Sequence, residues 1–374
     1  MKKIQMVDLH GQYLRLKDEI DAAIRGVLES SHFIQGPDVK RFSGHLAAYV
    51  NGSSVVTCGN GTDALQIAAM ALELKPGAEV IIPAFTYVAT AEVIGLLGLT
   101  PVLVDVDERT FNIDVSQIEQ ATNSRTRAVV PVHLFGQCAN MASLIKIAHD
   151  LKITVIEDAA QSLGATCNLA DHSRRQAGTI GKIGVTSFFP TKPLGCFGDG
   201  GAIFTDDAAL SEKMQMIANH GQRVKYSHEL IGVNSRLDTL QAAILDVKLK
   251  HMDDFTQTRQ DVAARFDDGL AGIKELILPY REENSSHIFH QYTLQAVDRD
   301  GLKEHLAKLG IPSMVYYPTP LHFQRAYQQY GKGPGSFPVA ERLSKNVISL
   351  PIHTEMETDQ LDYICDAVRK FYNA

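Results

Sequence analysis

The chain has 374 residues, 45% of them hydrophobic and 21% charged, with 36 Lys and Arg against 43 Asp and Glu, a formal net charge of −7. That composition supplies a sizeable core and excludes a disordered tail or fibrous repeat. The acidic balance excludes the basic footprint of a nucleic-acid binder, and the length allows roughly two to three domain equivalents.

Taken in chain order, the first feature is MKKIQMVDLHGQ, two lysines with no apolar run behind them, so no signal peptide is read there. Residues 13–28 set Leu16, Ile20, Ile24, Val27 and Leu28 on one stripe, predicting an amphipathic helix. Short apolar runs then alternate with helical ones. The predicted strands are SSVVTC (53–58), EVIIPA (79–84), PVLVDV (101–106), RAVVPVH (127–133), ITVIED (153–158), GVTSFF (184–189) and AIFT (202–205). Such runs, separated by helices such as ALQIAAMALEL and MASLIKIAHDL, predict an α/β fold with a mostly parallel sheet. Gly200-Gly201 before AIFT is a point where one strand can turn antiparallel. Residues 80–104 carry only Glu92 as a charge, but Pro83, Gly95, Gly98 and Pro101 divide them into strand, helix and strand, which excludes a bilayer span.

The stretch 168–178, NLADHSRRQAG, reads as a solvated loop. After Asn234 the pattern becomes one long helix, or two joined, with Leu237, Leu240, Ile244 and Val247 in register. Beyond it HQYTLQAV and SMVYYP read as shorter strands, and GKGPGSFP (331–338) as a loop. The expected division is a large N-terminal unit, residues 1–250, and a smaller C-terminal α+β unit, 251–374. Five scattered cysteines (58, 138, 167, 196 and 365) without a CxxC pair predict neither disulfides nor a metal site. A reduced, cytoplasmic protein is expected.

Parallel sheets bind ligands beyond the carboxyl ends of their strands, so the residues just after each strand matter most. Cys58-Gly59-Asn60-Gly61-Thr62-Asp63-Ala64 opens a helix after the first strand, where glycines and free N–H groups suit a phosphate. Gly59, Gly61 and Ala64 also satisfy the dinucleotide pattern G-x-G-x-x-G/A. A ribose-binding acid should then end the second strand, whereas Glu79 begins it. A plain strand-to-helix turn is the third reading. Glu157 and Asp158 end ITVIED facing opposite ways, one free to enter a site; the alternative for Asp158 is a helix N-cap. Lys192, in the Gly/Pro-rich turn SFFPTKPLG, is either solvated or desolvated enough to leave its amine nucleophilic. Together a lysine, an acid, the Gly61-Thr62-Asp63-Ala64 turn and the aromatic Tyr87 meet the needs of pyridoxal phosphate. Those are a Schiff-base amine, a partner for the pyridine nitrogen, a phosphate cradle and a ring to stack on.

In this order and spacing, GNGTDAL, PAFTYVATAEVI, PVHLFGQ, VIEDAAQSLGA, SFFPTKPLGCFGDGGA and GVNSRLDTLQAAIL resemble the DegT-type nucleotide-sugar aminotransferases. The resemblance covers nearly the whole chain. It implies the aspartate-aminotransferase-like fold type I, a large α/β/α domain with a smaller α+β one, and pyridoxal 5'-phosphate as cofactor. Within the family HLFGQ, the stretch from HGQ to IGVNSRLDT and FFPTKPLGCFGDGG look most like the 3-aminotransferases of UDP-2-acetamido-2-deoxy-3-oxo-glucuronate, which serve O-antigen synthesis.

The resemblance implies that Lys192 carries the cofactor and shuttles a proton, Asp158 pairs with the pyridine nitrogen and Gln161 bonds the ring hydroxyl. It gives Gly61, Thr62, Asp63 and Ser187 the phosphate end, Tyr87 the ring face, and Asn234 the phosphate of a neighbouring subunit in a homodimer with shared sites. Gly36, Thr191, Arg236, Tyr316 and Tyr317 fall to the nucleotide sugar. For Arg236, a fork suited to a uronate carboxylate, a helix-start ion pair is the other reading; for His133, a place near the substrate competes with a structural one. Where Tyr316-Tyr317-Pro318 stands, relatives often have His-Tyr-Pro, which touches the choice of sugar. L-Glutamate, leaving as 2-oxoglutarate, is the implied donor. Other readings are an aminotransferase for another UDP- or dTDP-keto-deoxysugar, an NAD-binding dehydrogenase, and a non-catalytic regulator that binds pyridoxal phosphate. The family's dehydratases carry histidine where Lys192 stands, which argues against that branch.

Overall fold

The computed structural model describes residues 2–373. All seven predicted strands form, as β1 (Ser54–Cys58), β2 (Glu79–Pro83), β3 (Thr100–Val104), β4 (Thr126–Val129), β5 (Thr154–Asp158), and, beyond a hairpin of β6 (Thr166–Asn168) and β7 (Arg174–Gln176), β8 (Ile183–Ser187) and β9 (Gly201–Thr205). They join in one sheet of order β1-β9-β8-β5-β4-β2-β3. Every residue of β2 and β9 is buried, as expected of largely apolar strands in a sheet with helices on both faces. β9 runs antiparallel to both β8 and β1, so the glycine pair marks a real reversal. The residues 80–104 resolve into β2, the helix Ala89–Leu96 and β3, and no described helix is long and apolar enough to cross a membrane.

Register decides where ligands can lie. Cys58 is opposite Gly201, which is opposite Ser187, and Asp158 is opposite Val185. The ends of β1, β5 and β8 therefore finish along one edge. The chain departs there into the helix Gly61–Ala71, the turn after Asp158 and the Lys192 turn.

Two expectations are corrected. The stretch 168–178 is not a plain loop: it holds the β6–β7 hairpin, with Arg175 paired to Asp206. SMVYYP forms no strand; only Met314 bridges to Ser349. After Asn234 there are two helices, Thr239–Leu249 and Met252–Leu270. A second sheet follows, of β12 (Leu276–Ile277), β13 (Tyr292–Ala296) and β14 (Val347–Leu350), reached after the short hairpin β10 (Gln222–Val224) and β11 (Ser227–His228). Its core of Phe266, Tyr292, Leu294, Ile348 and Ile364 also takes in Ile4. Leu321, Ala340 and Leu343 pack instead into the core of the large sheet, alongside Val80 and Ile82, so the C-terminal chain braces the site edge.

Candidate functional site

The end of β5 separates two carboxylates. Glu157 turns inward and accepts hydrogen bonds from His133 Nε2 (2.9 Å) and from the N–H groups of Gly178 (3.0 Å), Ile180 (2.6 Å) and Gly181 (2.5 Å). His133 Nδ1 accepts from the Ala139 N–H at 3.1 Å, so Nε2 carries the proton and both ring nitrogens are spent. The placing of His133 near the substrate is thereby overturned: the residue is completely buried and structural.

Asp158 faces the other way. Its Oδ2 accepts from Thr90 Oγ1 at 3.0 Å and its Oδ1 from the Ala160 N–H at 3.1 Å. The segment after it is a turn, so there is no helix there for it to cap. Burial raises its pKa above the ordinary value, and the charge of Lys192 only partly opposes this. Its two hydrogen bonds come from neutral donors and none from a cation among the described residues, and a protonated ring nitrogen is the kind of group it would hold.

Lys192 is the complement. Its Nζ makes no hydrogen bond or ion pair among the described residues, and burial lowers its pKa, with the attraction of Asp158 opposing. The side chain is half-buried, and the amine feels the opposite charge of Asp158 without a hydrogen bond to it. Its turn is closed by Lys192 N–H to the Phe189 carbonyl (2.8 Å) and Cys196 N–H to the Phe188 carbonyl (2.8 Å).

Asn60 caps the helix Gly61–Ala71, its side chain accepting from the Asp63 N–H, and the first N–H groups, those of Gly61 and Thr62, have no partner within the helix. Gly61 is a glycine because of Ser187: a Cβ there would stand 2.7 Å from the Ser187 Cβ. That close approach brings a helix N-terminus, with its positive dipole end, beside a serine hydroxyl at the end of β8, an arrangement made for a phosphate. The Asp63 carboxylate accepts from Ser235 Oγ at 2.6 Å, while Ser235 Oγ accepts from the Gly59 N–H at 2.9 Å.

Gln161 is held between the Phe135 N–H (2.8 Å to Oε1) and Tyr317 Oη (3.1 Å from Nε2). The Tyr87 ring, 56% exposed, lies 6.2 Å from that of Tyr317, which has Phe85 and Tyr316 at 6.0 Å on its other sides. Sequence reasoning missed Thr90 and Phe135. Thr90 lies in the first turn of the helix Ala89–Leu96, three residues after Tyr87 in PAFTYVAT. It also missed His290, 5% exposed with Nδ1 unpartnered, whose pKa is held well down by burial and by the charges of Lys192 and Arg259.

Gly36, Asn234 and Arg236 do not join this group. Gly36 and Arg236 line a cleft of about 640 Å³ with Lys40, Asn219 and Arg223, and neither Lys192 nor Asp158 is in its wall. Gly36 is buried, its N–H donating to Thr239 Oγ1, while Asn234 is exposed. Among the described residues Arg236 reaches only Asn219 Oδ1, at 3.5 Å, and makes no helix-start ion pair. Glu79, the acid a dinucleotide site needs, is bound by Arg125 and Asn123 where β2 begins, away from the edge where ligands lie. The dehydrogenase reading falls with it.

The residues along this edge fit pyridoxal phosphate: a half-buried amine, a buried acid with no hydrogen-bonded cation among the described residues, a helix N-terminus beside a serine, and an open aromatic ring. The DegT/DnrJ/EryC1/StrS aminotransferase family matches residues 14–369. The chain is 44% identical, over 98% of its length and 99% of the relative's, to the UDP-2-acetamido-2-deoxy-3-oxo-D-glucuronate aminotransferase of Pseudomonas aeruginosa. It is 39% identical, over 99% and 96%, to the dTDP-3-amino-3,4,6-trideoxy-alpha-D-glucose transaminase of Streptomyces venezuelae. Among solved structures, NtdA from Bacillus subtilis with bound cofactor PMP superposes with a TM-score of 0.91 at 29% identity, covering 100% of this chain and 86% of that one. With the fold type I sheet, the cofactor cradle and these matches together, the chain belongs to the DegT/DnrJ/EryC1/StrS family and is a pyridoxal-phosphate-dependent nucleotide-sugar aminotransferase.

Proposed function

We propose that the chain transfers the amino group of L-glutamate to the 3-keto carbon of a UDP-linked 2-acetamido-2-deoxy-hexuronate, releasing 2-oxoglutarate. It would act as a cytoplasmic homodimer with shared sites, on a route to lipopolysaccharide O-antigen sugars. The observation that carries the substrate class is the Arg236 guanidinium, which has no carboxylate partner among the described residues. In its cleft the one carboxylate, Glu212, is already paired with Arg223, which leaves Arg236 and Lys40 for anions of the ligand. A planar fork suits a uronate carboxylate and an ammonium suits a diphosphate. The likeness to the P. aeruginosa enzyme supports the same sugar.

In this reading Lys192 carries the cofactor and moves the proton at the reacting carbon. Asp158 holds a proton on the ring nitrogen, and Gln161, oriented by Phe135 and Tyr317, meets the ring hydroxyl. Gly61, Thr62 and Ser187 take the phosphate, with Asp63 acting through Ser235 to hold the segment from residue 234 against the cradle. Tyr87 covers the ring. Bound pyridoxal phosphate supplies the electron sink for the carbon that loses or gains the amine. Thr191, Tyr316 and Tyr317 contact the sugar, and Gly36, Asn234 and Arg236 serve the neighbouring subunit's site.

The second reading, an uncharged dTDP-linked keto sugar, is favoured by the S. venezuelae relative. The two separate on kcat/KM for the UDP-linked 3-keto uronate against its uncharged 6-hydroxyl counterpart. A desolvated charge pair predicts a preference of about 10²-fold or more, removed in Arg236→Ala. Equal use of both sugars would overturn the uronate assignment.

A further inference from the structure

Lys248 is a buried charge to which the reaction gives no part. It is 2% exposed in the helix Thr239–Leu249. Its one hydrogen-bond partner among the described residues is the Gly195 carbonyl, 2.5 Å from Nζ, and the Phe197 ring centre lies 5.3 Å away. Burial pushes its pKa down to about 8, with Arg259 adding to the effect and Cys196 opposing it.

An amine sunk in a core without a counter-ion costs stability, and an unbranched apolar side chain of similar length would pack there more cheaply. What Lys248 gains is a hold on one carbonyl, and that carbonyl belongs to the Lys192 turn. The turn is folded tightly on itself: a Cβ at Gly195 would stand 2.2 Å from the Pro190 carbonyl oxygen. Seven residues before Lys248, two turns back on the same face, Gln241 Oε1 accepts from the Phe197 N–H at 2.9 Å. One helix face therefore grips the turn at two successive points, Gly195 and Phe197, directly after the residue from which Lys192 projects and its two followers. This helix also begins just after Arg236, so it ties the turn to the segment that faces the cleft.

We propose that Lys248, with Gln241 beside it, is a positioning residue for Lys192. By fixing the Gly195 carbonyl it sets the turn that aims the Lys192 amine toward Asp158. The inference rests on the role proposed above for Lys192.

The test compares the holoprotein with Lys248→Met, Lys248→Arg, Gln241→Leu and Lys192→Ala. Three quantities are read: the pH at which the visible band of bound pyridoxal phosphate is half converted, cofactor affinity by dialysis and reconstitution, and the thermal midpoint. Lys248→Met is expected to hold its thermal midpoint within a few degrees. Its spectroscopic pH midpoint shifts and its cofactor affinity falls at least tenfold; kcat falls while KM for the nucleotide sugar stays. Lys248→Arg, which retains a donor, recovers part of the loss. An unchanged pH midpoint and affinity in Lys248→Met would overturn the proposal. Should that variant fail to fold, Gln241→Leu decides, because it loosens the same turn without a charge change, and unchanged values there overturn it equally. Lys192→Ala separates the two failures. If it keeps the visible band, the assignment of Lys192 is wrong; if it loses the band while the other variants match the unsubstituted protein, only the positioning role is.

Discussion

Asp158 and Lys192 show how single residues can work against the fold that houses them. Without cofactor, burial raises the pKa of Asp158 and lowers that of Lys192. A raised acid means the folded chain binds more protons than the unfolded one, so stability falls as pH climbs from the ordinary carboxylate value through the raised one. A lowered lysine means the folded chain binds fewer, so its contribution recovers only as pH rises from the folded value toward 10.5. Wherever Asp158 is ionised and Lys192 protonated, both groups stand at their least favourable. Asp158→Asn and Lys192→Met are therefore each expected to raise the thermal midpoint of the cofactor-free protein at pH 7 by a few degrees. Calorimetry with and without pyridoxal phosphate checks this. Asp158→Asn should also lower kcat by about 10²-fold, since a neutral amide no longer holds the ring proton. A lower midpoint in both cofactor-free variants would mean that their mutual attraction outweighs desolvation.

At the scale of elements, the site is made by the places where strands end. Gly61→Ala should push the helix Gly61–Ala71 away from Ser187 and weaken pyridoxal phosphate binding about tenfold, the order of effect of forcing a methyl into a packed contact. Equilibrium titration of the apoprotein, with inorganic phosphate as competitor, measures it; a phosphate site elsewhere would leave both affinities intact. Glu157 is the structural counterpart on the other face of β5. Glu157→Gln brings an amide donor against donors already in place and should cost about 3–5 kcal/mol. Urea denaturation reads the loss. Strand ends were legible in the sequence because short apolar runs give way there to Gly-, Pro- or carboxylate-bearing turns, as at Cys58-Gly59, Glu157-Asp158 and Phe189-Pro190. The roles of the two adjacent carboxylates were only half legible. Alternation separates Glu157 from Asp158, but the three N–H donors that claim Glu157 come from residues 178–181, beyond the β6–β7 hairpin.

For the whole molecule, one protomer holds the Lys192 cluster and the Arg236 cleft as distinct surfaces. Sites completed across a two-fold axis follow if a neighbour's Asn234 and Arg236 finish each Lys192 cluster. Two inactive proteins, Lys192→Ala and Arg236→Ala, would then complement on mixing and exchange, because a mixed dimer carries both substitutions in one site and neither in the other. Activity should return to about a quarter of the unsubstituted level under random pairing. Mixed samples that stay inactive after subunit exchange would show each site to be built within one chain.

By itself the sequence determined the strands of the large sheet, the residues that follow them and the family, because apolar runs, glycines and a single lysine in a Gly/Pro-rich turn are local statements. Tertiary structure alone decided which groups are free. His133 is consumed by Glu157 and Ala139, Asp63 by Ser235, and Glu79 by Arg125, whereas among the described residues Lys192 and Arg236 have no hydrogen-bonded counter-ion. Lys248 is the extreme case: its helical stripe gives no reason for an amine, and only the packing of that helix against Gly195 provides one. Availability depends on partners far away in the chain, and a hydrogen bond between residues 53 positions apart leaves no trace in local pattern.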